Sequence, residues 1–349
     1  MKAQKNTFSK IELEILKFRN FLLNSNTINS VQYIRALAAV SVVIFHIEGY
    51  VYRSPLIEIN QKFLSWGSIG VQIFFVLSGF IIPFSIYKKE RKPIPFIKSR
   101  LIRIYPTYFF ILLFYLIVNF LVNNYLLVNT EHQIEFSKIL YSLIFNLGKS
   151  TNGYIQVAWT LFYEFCFYLI FALVVQDFKK ICNSNFFYAS IIFLQVLFLL
   201  NKNFYLVCFV AGISIFLMMI NPGNFKLKNP LYCNLLFIYI FTLFFYFKAF
   251  IASSILLLAL ITEYLNKNLY LNKLIQKIGD YSYSIYIVQE IIIAFSIKII
   301  SYLYKNLDLK NEFIFYILNT GLILYLVVIS GFLLGKFVEK PTLKFLMKK

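Results

Sequence analysis

One apolar stretch near the start of the chain carries two basic residues, Arg35 and His46, at a spacing that suits a helix. Eleven residues turn a helix by about 1100°, which brings both side chains to one face, about 16 Å apart along the axis. Ionisable groups are costly in hydrocarbon, so each one within an apolar span is a candidate functional residue. Histidine ordinarily titrates near neutrality, so His46 is a candidate general base for group transfer. The structural alternative is that Arg35 reaches the headgroups and His46 makes an internal hydrogen bond.

An acidic residue, Glu164, follows Trp159 in a later apolar stretch. We predict that Glu164 lies at a depth comparable to that of His46, where a carboxylate can orient an imidazole base, as the third member of acyl-transfer sites does. The alternative is a buried Glu164 that is hydrogen-bonded to a neighbouring tyrosine. Trp159 is typical of an aromatic belt residue at the membrane interface and is a candidate for a supporting role.

The basic residues are concentrated in residues 87–103, which hold seven of them. Three of the chain's six arginines lie there: Arg91, Arg100 and Arg103. The planar guanidinium binds phosphate in a bidentate manner, which a plain topology signal does not require. We therefore predict a polyphosphate site at Arg100 and Arg103, assisted by Lys98. Pro106 fits the first turn of the helix that follows.

Two weaker signals concern small and sulfur-containing residues. The pair Ser78-Gly79 favours close helix packing, although Ser78 or a tyrosine hydroxyl could also donate to a developing oxyanion. The four cysteines match neither a metal site nor a disulfide pattern. No metal site is predicted.

Helices that span a membrane must position these residues. A chain that is 60% hydrophobic and only 14% charged, with a mean hydropathy of +0.72, is too apolar for an ordinary soluble domain. Its apolar runs are continuous rather than alternating, which excludes the strands of a barrel. The sequence therefore predicts an all-α polytopic bundle of about ten transmembrane helices, at residues 31–51, 66–86, 104–126, 157–176, 185–200, 204–220, 232–247, 249–265, 283–304 and 313–335.

The distribution of charge predicts the orientation of this bundle. With both termini in the cytoplasm, 24 basic residues lie inside and 8 outside, which obeys the positive-inside rule. We expect residues 1–30 to be a basic amphipathic segment, 31–336 the membrane domain and 337–349 a basic cytoplasmic tail. Topology thus explains most of the net charge of +19, without a nucleic-acid partner.

Taken together, these motifs resemble acyltransferase family 3, the integral-membrane O-acyltransferases that modify bacterial surface polysaccharides. Each motif is weak alone, but their order and spacing are fairly specific. They are Arg35-Ala-Leu-Ala-Ala with His46, Phe74-Phe75-Val76-Leu77-Ser78-Gly79-Phe80, Arg100-Leu-Ile-Arg103, Trp159-Thr160-Leu161 with Glu164, Gly279-Asp280-Tyr281-Ser282-Tyr283-Ser284-Ile285-Tyr286, and Glu339-Lys340-Pro341.

The resemblance implies a reaction and roles for several residues. An acyl donor, usually acetyl-CoA, is engaged from the cytoplasm as a co-substrate rather than a permanently bound cofactor. The acceptor is a sugar hydroxyl of a surface polysaccharide or its lipid-linked precursor, and the location is the bacterial inner membrane. His46 is implied to be catalytic, Arg35, Arg100 and Arg103 to interact with the donor, and Tyr283 belongs to a motif that supports the site.

The chain departs from the family pattern at one position. Many members carry a histidine shortly after the Ser-Tyr-Ser-x-Tyr stretch, whereas this chain has Gln289 and Glu290. The main alternative function is a transporter or a polymerase of lipid-linked oligosaccharides. Transporters often show repeats or helices interrupted by Gly and Pro, whereas this chain has only 12 Gly and 8 Pro and no evident repeat.

Overall fold

The computed structural model describes residues 13–14, 16–25, 28–51, 65–125, 134–182, 184, 190, 204–220, 247–266, 272–307 and 312–348. Those ranges are helical and contain no strand, which confirms the predicted all-α class. The α-helices are α1 (16–24), α2 (Asn29–Val51), α3 (Ile69–Lys88), α4 (Pro93–Tyr125), α5 (Phe136–Leu143), α6 (Trp159–Val174), α7 (Phe178–Ile181), α8 (Phe204–Ile220), α9 (Phe247–Leu265), α10 (Lys273–Asp280), α11 (Ser282–Leu307), α12 (Glu312–Leu334) and α13 (Lys340–Met347). Short 3₁₀ turns lie at Ser65–Ser68, Phe145–Gly148 and Gln156–Ala158, and a π-helical turn at Gly335–Glu339.

Six of the described helical segments are long and apolar enough to cross a membrane: Asn29–Gly49, Trp66–Lys88, Pro93–Leu121, Gln156–Val174, Phe247–Leu265 and Leu318–Met347. Each overlaps a predicted span, although Pro93–Leu121 begins eleven residues before the predicted 104–126 and Leu318–Met347 ends twelve residues after the predicted 313–335. Two shorter apolar helices, Tyr205–Ile220 and Ser282–Ile297, coincide with two more. The predicted spans 185–200 and 232–247 lie outside the described residues. The total of ten spans and the cytoplasmic position of both termini stay predictions.

The start of α4 differs from the sequence prediction. The helix begins at Pro93, and Pro106 lies inside it rather than in its first turn. Proline is favoured at the first position of a helix because its fixed φ suits the helix and its missing N–H would have no intrahelical partner. Arg100 and Arg103 are therefore held on a helix and not in a loop, which makes their positions better defined.

The chain divides into two compact units. The first unit comprises Met1–Ala38, Ile69–Pro93 and Phe171–Gln276, and the second comprises Ala39–Ser68, Ile94–Ile170 and Lys277–Lys349. Helix α2 contributes its beginning to the first unit and its remainder to the second.

In the first unit, α3 packs closely against α8. A Cβ added to Gly79 of α3 would collide with the carbonyl oxygen of Phe209, and one added to Gly212 of α8 would collide with that of Val76. Small residues let helix backbones approach in this way inside a membrane. The packing that we predicted for the Ser78-Gly79 pair is therefore present at Gly79.

The first unit also fixes the start of α2. The carboxylate of Glu263 on α9 is buried and accepts the backbone N–H of Asn29 at 2.7 Å and that of Ser30 at 2.9 Å. The Ser30 hydroxyl donates to the same carboxylate. Negative charge at a helix start satisfies N–H groups that have no intrahelical partner and interacts favourably with the helix dipole.

In the second unit, α11 packs against α12 and the π-helical turn. Gly331 lies against Ile285, where a Cβ on the glycine would collide with the isoleucine. The Ser284 hydroxyl donates to the carboxylate of Glu339, and Lys340 Nζ lies 4.0 Å from the centre of the Tyr281 ring. The two late sequence motifs therefore contact each other and fix the first turns of α11.

Residues 134–158 of the second unit form a compact segment against α4. Its 3₁₀ turn has four consecutive residues in the left-handed region, from Phe145 to Gly148. The hydroxyl of Tyr108 donates to Ser142 O at 2.6 Å, and the Phe145 ring centre lies 5.1 Å from that of Tyr108. Irregular backbone is tolerated beside a membrane helix where protein buries it.

Candidate active site

The most connected group of predicted site residues lies between α4 and α6. The Arg100 guanidinium lies 5.2 Å from the centre of the Phe96 ring and 5.5 Å from that of Tyr168. Both rings are buried, with Phe96 0% and Tyr168 3% exposed. Two cation–π contacts thus hold the guanidinium, and desolvation by buried rings strengthens such contacts.

Tyr168 also connects this arginine to Glu164. Its hydroxyl donates a hydrogen bond to the Glu164 carboxylate one helical turn away on α6. We call Arg100, Phe96, Tyr168 and Glu164 the arginine cluster. Its geometry matches the alternative that the sequence left open for Glu164, a hydrogen bond to a neighbouring tyrosine.

His46 has different surroundings. Its half-buried imidazole makes an edge contact with the Phe45 ring, with 5.5 Å between ring centres. Among the described residues, no hydrogen bond joins His46 to Glu164. Catalytic hydrogen bonds often form only in the substrate complex, so the orienting role of Glu164 stays a prediction.

Tyr283 ties α11 to the helix that carries the arginines. Its hydroxyl donates to Ile104 O at 2.7 Å, directly after Arg103 in the chain. Tyr283 therefore holds the part of α4 that positions Arg103, and its supporting role in the reaction stays a prediction.

The remaining predicted residues lie at several places. Lys98 is exposed on α4, and Trp159 begins α6, where its ring makes an edge contact with that of Tyr163, with 5.9 Å between ring centres. Arg35 on α2 and Ser78 on α3 are half-buried and belong to the first unit. The structure thus brings together Arg100, Glu164 and, through Ile104, Tyr283.

Sequence reasoning missed two carboxylates. Glu290 was noted only as a departure from a family pattern, yet it accepts backbone N–H groups at the start of α6. Glu48, two residues after His46, is 4% exposed. The signal for Glu48 was available, because an acidic residue within an apolar span is costly and marks a candidate site. The contacts of Glu290 could not be read from the local sequence.

Comparisons with known proteins give one match. A family model described as an acyltransferase domain matches residues 28–338, nearly the whole chain. No curated protein and no solved structure matches. The matched range contains every predicted site residue.

Proposed function

The chain belongs to the acyltransferase family whose model covers residues 28–338, and we propose that it is an O-acyltransferase that moves an acetyl group from acetyl-CoA to a sugar hydroxyl. Family membership makes the chain an acyltransferase of the membrane type, with several helices apolar enough to span the bilayer. The proposed acceptor is a surface polysaccharide or its lipid-linked precursor, and the proposed location is the bacterial cytoplasmic membrane.

The arginine cluster is the observation that carries the proposal. Coenzyme A presents phosphate groups, and arginine binds phosphate with two parallel hydrogen bonds. Arg100 is held by two aromatic rings, so little side-chain freedom is lost when it binds an anion. Arg103 lies about one helical turn further along α4 and adds a second positive charge. Lys98 adds a third, exposed on the same helix.

The chemistry is a transfer between a thioester and a hydroxyl. In the direct route, the His46 imidazole removes the proton of the sugar hydroxyl, and the hydroxyl oxygen attacks the acetyl carbon. The C–O bond forms, the C–S bond breaks, and the imidazolium returns the proton to the coenzyme A thiolate. In the alternative route, the imidazole carries the acetyl group before the hydroxyl takes it. We propose His46 as the catalytic residue in both routes.

Glu164 and Arg35 complete the proposed site. Arg35 shares one face of α2 with His46, and we propose that it lies beside the path of the thioester arm. Glu164 is proposed to stabilise the imidazolium once substrate is bound, because a carboxylate favours the charged form of a nearby imidazole. The Tyr168 hydroxyl donates a hydrogen bond to this carboxylate and helps to orient it. Ser78 and Trp159 are proposed as supporting residues.

The proposal is tested by mass spectrometry of the surface glycan from cells with and without this protein. We expect the glycan to lose one acetyl mass at a defined sugar when the protein is absent, and to regain it when the wild-type chain is supplied. An unchanged glycan that is acetylated in both strains would contradict the proposed acceptor.

A further inference from the structure

The start of α6 has no capping side chain of its own. The 3₁₀ turn Gln156–Ala158 leads directly into α6, and Ile155, which occupies the cap position, makes no side-chain hydrogen bond. A helix start leaves backbone N–H groups without intrahelical partners, and serine, threonine, asparagine or aspartate normally satisfies them. The donors at this helix start must therefore be satisfied from elsewhere.

Glu290 of α11 supplies the missing acceptor. One carboxylate oxygen accepts the N–H of Gln156 at 3.0 Å, and the other accepts that of Val157 at 3.2 Å. The Glu290 side chain is 7% exposed. A buried carboxylate is costly unless it is well hydrogen-bonded, so this interaction compensates for a large desolvation penalty. Glu290 and the start of α6 therefore depend on each other.

Tyr286, one turn before Glu290, contacts other polar groups at the same helix start. Its hydroxyl lies 2.9 Å from Thr160 Oγ1 and donates to Val157 O at 3.2 Å. Thr160 and Tyr286 are both buried. Residues four apart on a helix share one face, so Tyr286 and Glu290 form a single contact surface on α11. They contact N–H, carbonyl and hydroxyl groups of the first turn together.

A polar stripe on α6 leads from this helix start to Glu164. Thr160, Glu164 and Tyr168 follow one another at intervals of four residues, so they form a stripe on one face of α6. Tyr286 contacts the first of them, Thr160. Movement of the helix start would shift Glu164 along the stripe.

We infer that Glu290, together with Tyr286, is a positioning residue for acyl transfer, which holds the first turn of α6 and thereby sets the place of Trp159 and Glu164. This inference rests on the proposed function. In the proposed reaction, Glu290 touches no reacting group and acts through the position of α6. A catalytic group that is displaced by about 1 Å can lose roughly a hundredfold in rate, so the holding contacts have a kinetic consequence.

The test compares three variants of the full chain in membranes, with acetyl transfer and thermal unfolding measured on each. Glu290→Gln keeps the side-chain length and one accepting oxygen. Glu290→Leu removes both acceptors. Ile285→Ala is the matched control, because Ile285 is fully buried on the same helix and packs against Gly331 of α12. It lowers stability by loss of packing and leaves the contacts to α6 intact.

We expect Glu290→Leu to lower kcat by about tenfold to a hundredfold while the KM for acetyl-CoA changes by less than about threefold. Glu290→Gln should restore most of the kcat, and Ile285→Ala should lower the unfolding temperature without this change in kcat. Equal kinetics for Glu290→Leu and Ile285→Ala at equal loss of stability would overturn the inference.

A smaller substitution keeps the test decisive if Glu290→Leu does not fold. Tyr286→Phe removes only the hydroxyl that contacts Thr160 and Val157, and we expect a several-fold loss of kcat at an unchanged KM for acetyl-CoA. A wild-type kcat in Tyr286→Phe would also overturn the inference. Absence of acetyl transfer by the wild-type chain is a separate outcome, which contradicts the proposed function itself.

Discussion

The arginine cluster and the surroundings of His46 differ in how completely the protein builds them. Arg100 is held by the rings of Phe96 and Tyr168, and Tyr168 is hydrogen-bonded to Glu164. Among the described residues, the contact of the His46 imidazole is an aromatic edge with Phe45. The side chains of the arginine cluster are thus joined by successive specific contacts, whereas the His46 imidazole packs against an apolar ring.

This difference agrees with the two roles that we propose for these regions, donor binding for the arginine cluster and proton transfer for His46. A phosphate site gains affinity when its charged groups are already in place, because less side-chain freedom is lost on binding. A general base needs a partner only when the proton moves, so its hydrogen bonds can form in the substrate complex. We infer that the arginine cluster is ready before the donor arrives and that His46 acquires its partners from the substrates.

We expect the greatest loss of kcat from His46→Ala, because His46 is the proposed catalytic residue. Loss of a general base lowers kcat by about a hundredfold to ten-thousandfold, and loss of an acyl carrier does at least as much. The measurement is acetyl transfer by membranes in which immunoblots show equal amounts of inserted protein. Normal transfer by this variant would remove His46 from the mechanism.

The second prediction concerns the binding of acetyl-CoA alone. Arg100→Ala with Arg103→Ala should raise the KM for acetyl-CoA by about tenfold to a hundredfold, since each hydrogen bond to a charged group contributes about 1.5–3 kcal/mol. Initial rates over a range of donor concentrations give this constant. Lys344→Ala is the control, because it removes an exposed positive charge from α13. An equal rise in KM for the control would mean that general charge, and not the cluster, binds the donor.

The smallest effect separates the two contacts of Tyr168. Tyr168→Phe keeps the ring beneath Arg100 and removes the hydroxyl that donates to Glu164. We expect kcat to fall by about tenfold, while the KM for acetyl-CoA stays within about twofold. Steady-state kinetics measure both constants. A raised KM with an unchanged kcat would show that the hydroxyl serves donor binding and that Glu164 is not part of the chemistry.

The sequence predicted the all-helical class and most of the apolar helices well. Apolar runs locate spans because a bilayer requires about twenty consecutive apolar residues, and eight of the ten runs coincide with described apolar helices. Ionisable residues such as Arg35, His46 and Glu164 are visible because they are costly there. These are local signals that a single chain carries without knowledge of its contacts.

What could not be predicted depends on contacts between distant parts of the chain. Glu290 lies 134 positions from Gln156, so no periodicity links them. The ring of Tyr168 beneath Arg100 also requires the packing of two separate helices. The early start of α4 at Pro93 was missed because a basic stretch with two prolines is typical of a loop.

The central claim is tested most directly by purified protein in lipid vesicles that is supplied with acetyl-CoA labelled in its acetyl group and with a polysaccharide acceptor. We expect label to appear in the glycan as an ester that mild base removes, with one free coenzyme A thiol released for each ester formed. We also expect His46→Ala to abolish both signals. Label that stays in acetyl-CoA, or thiol released without any glycan ester, would contradict the account.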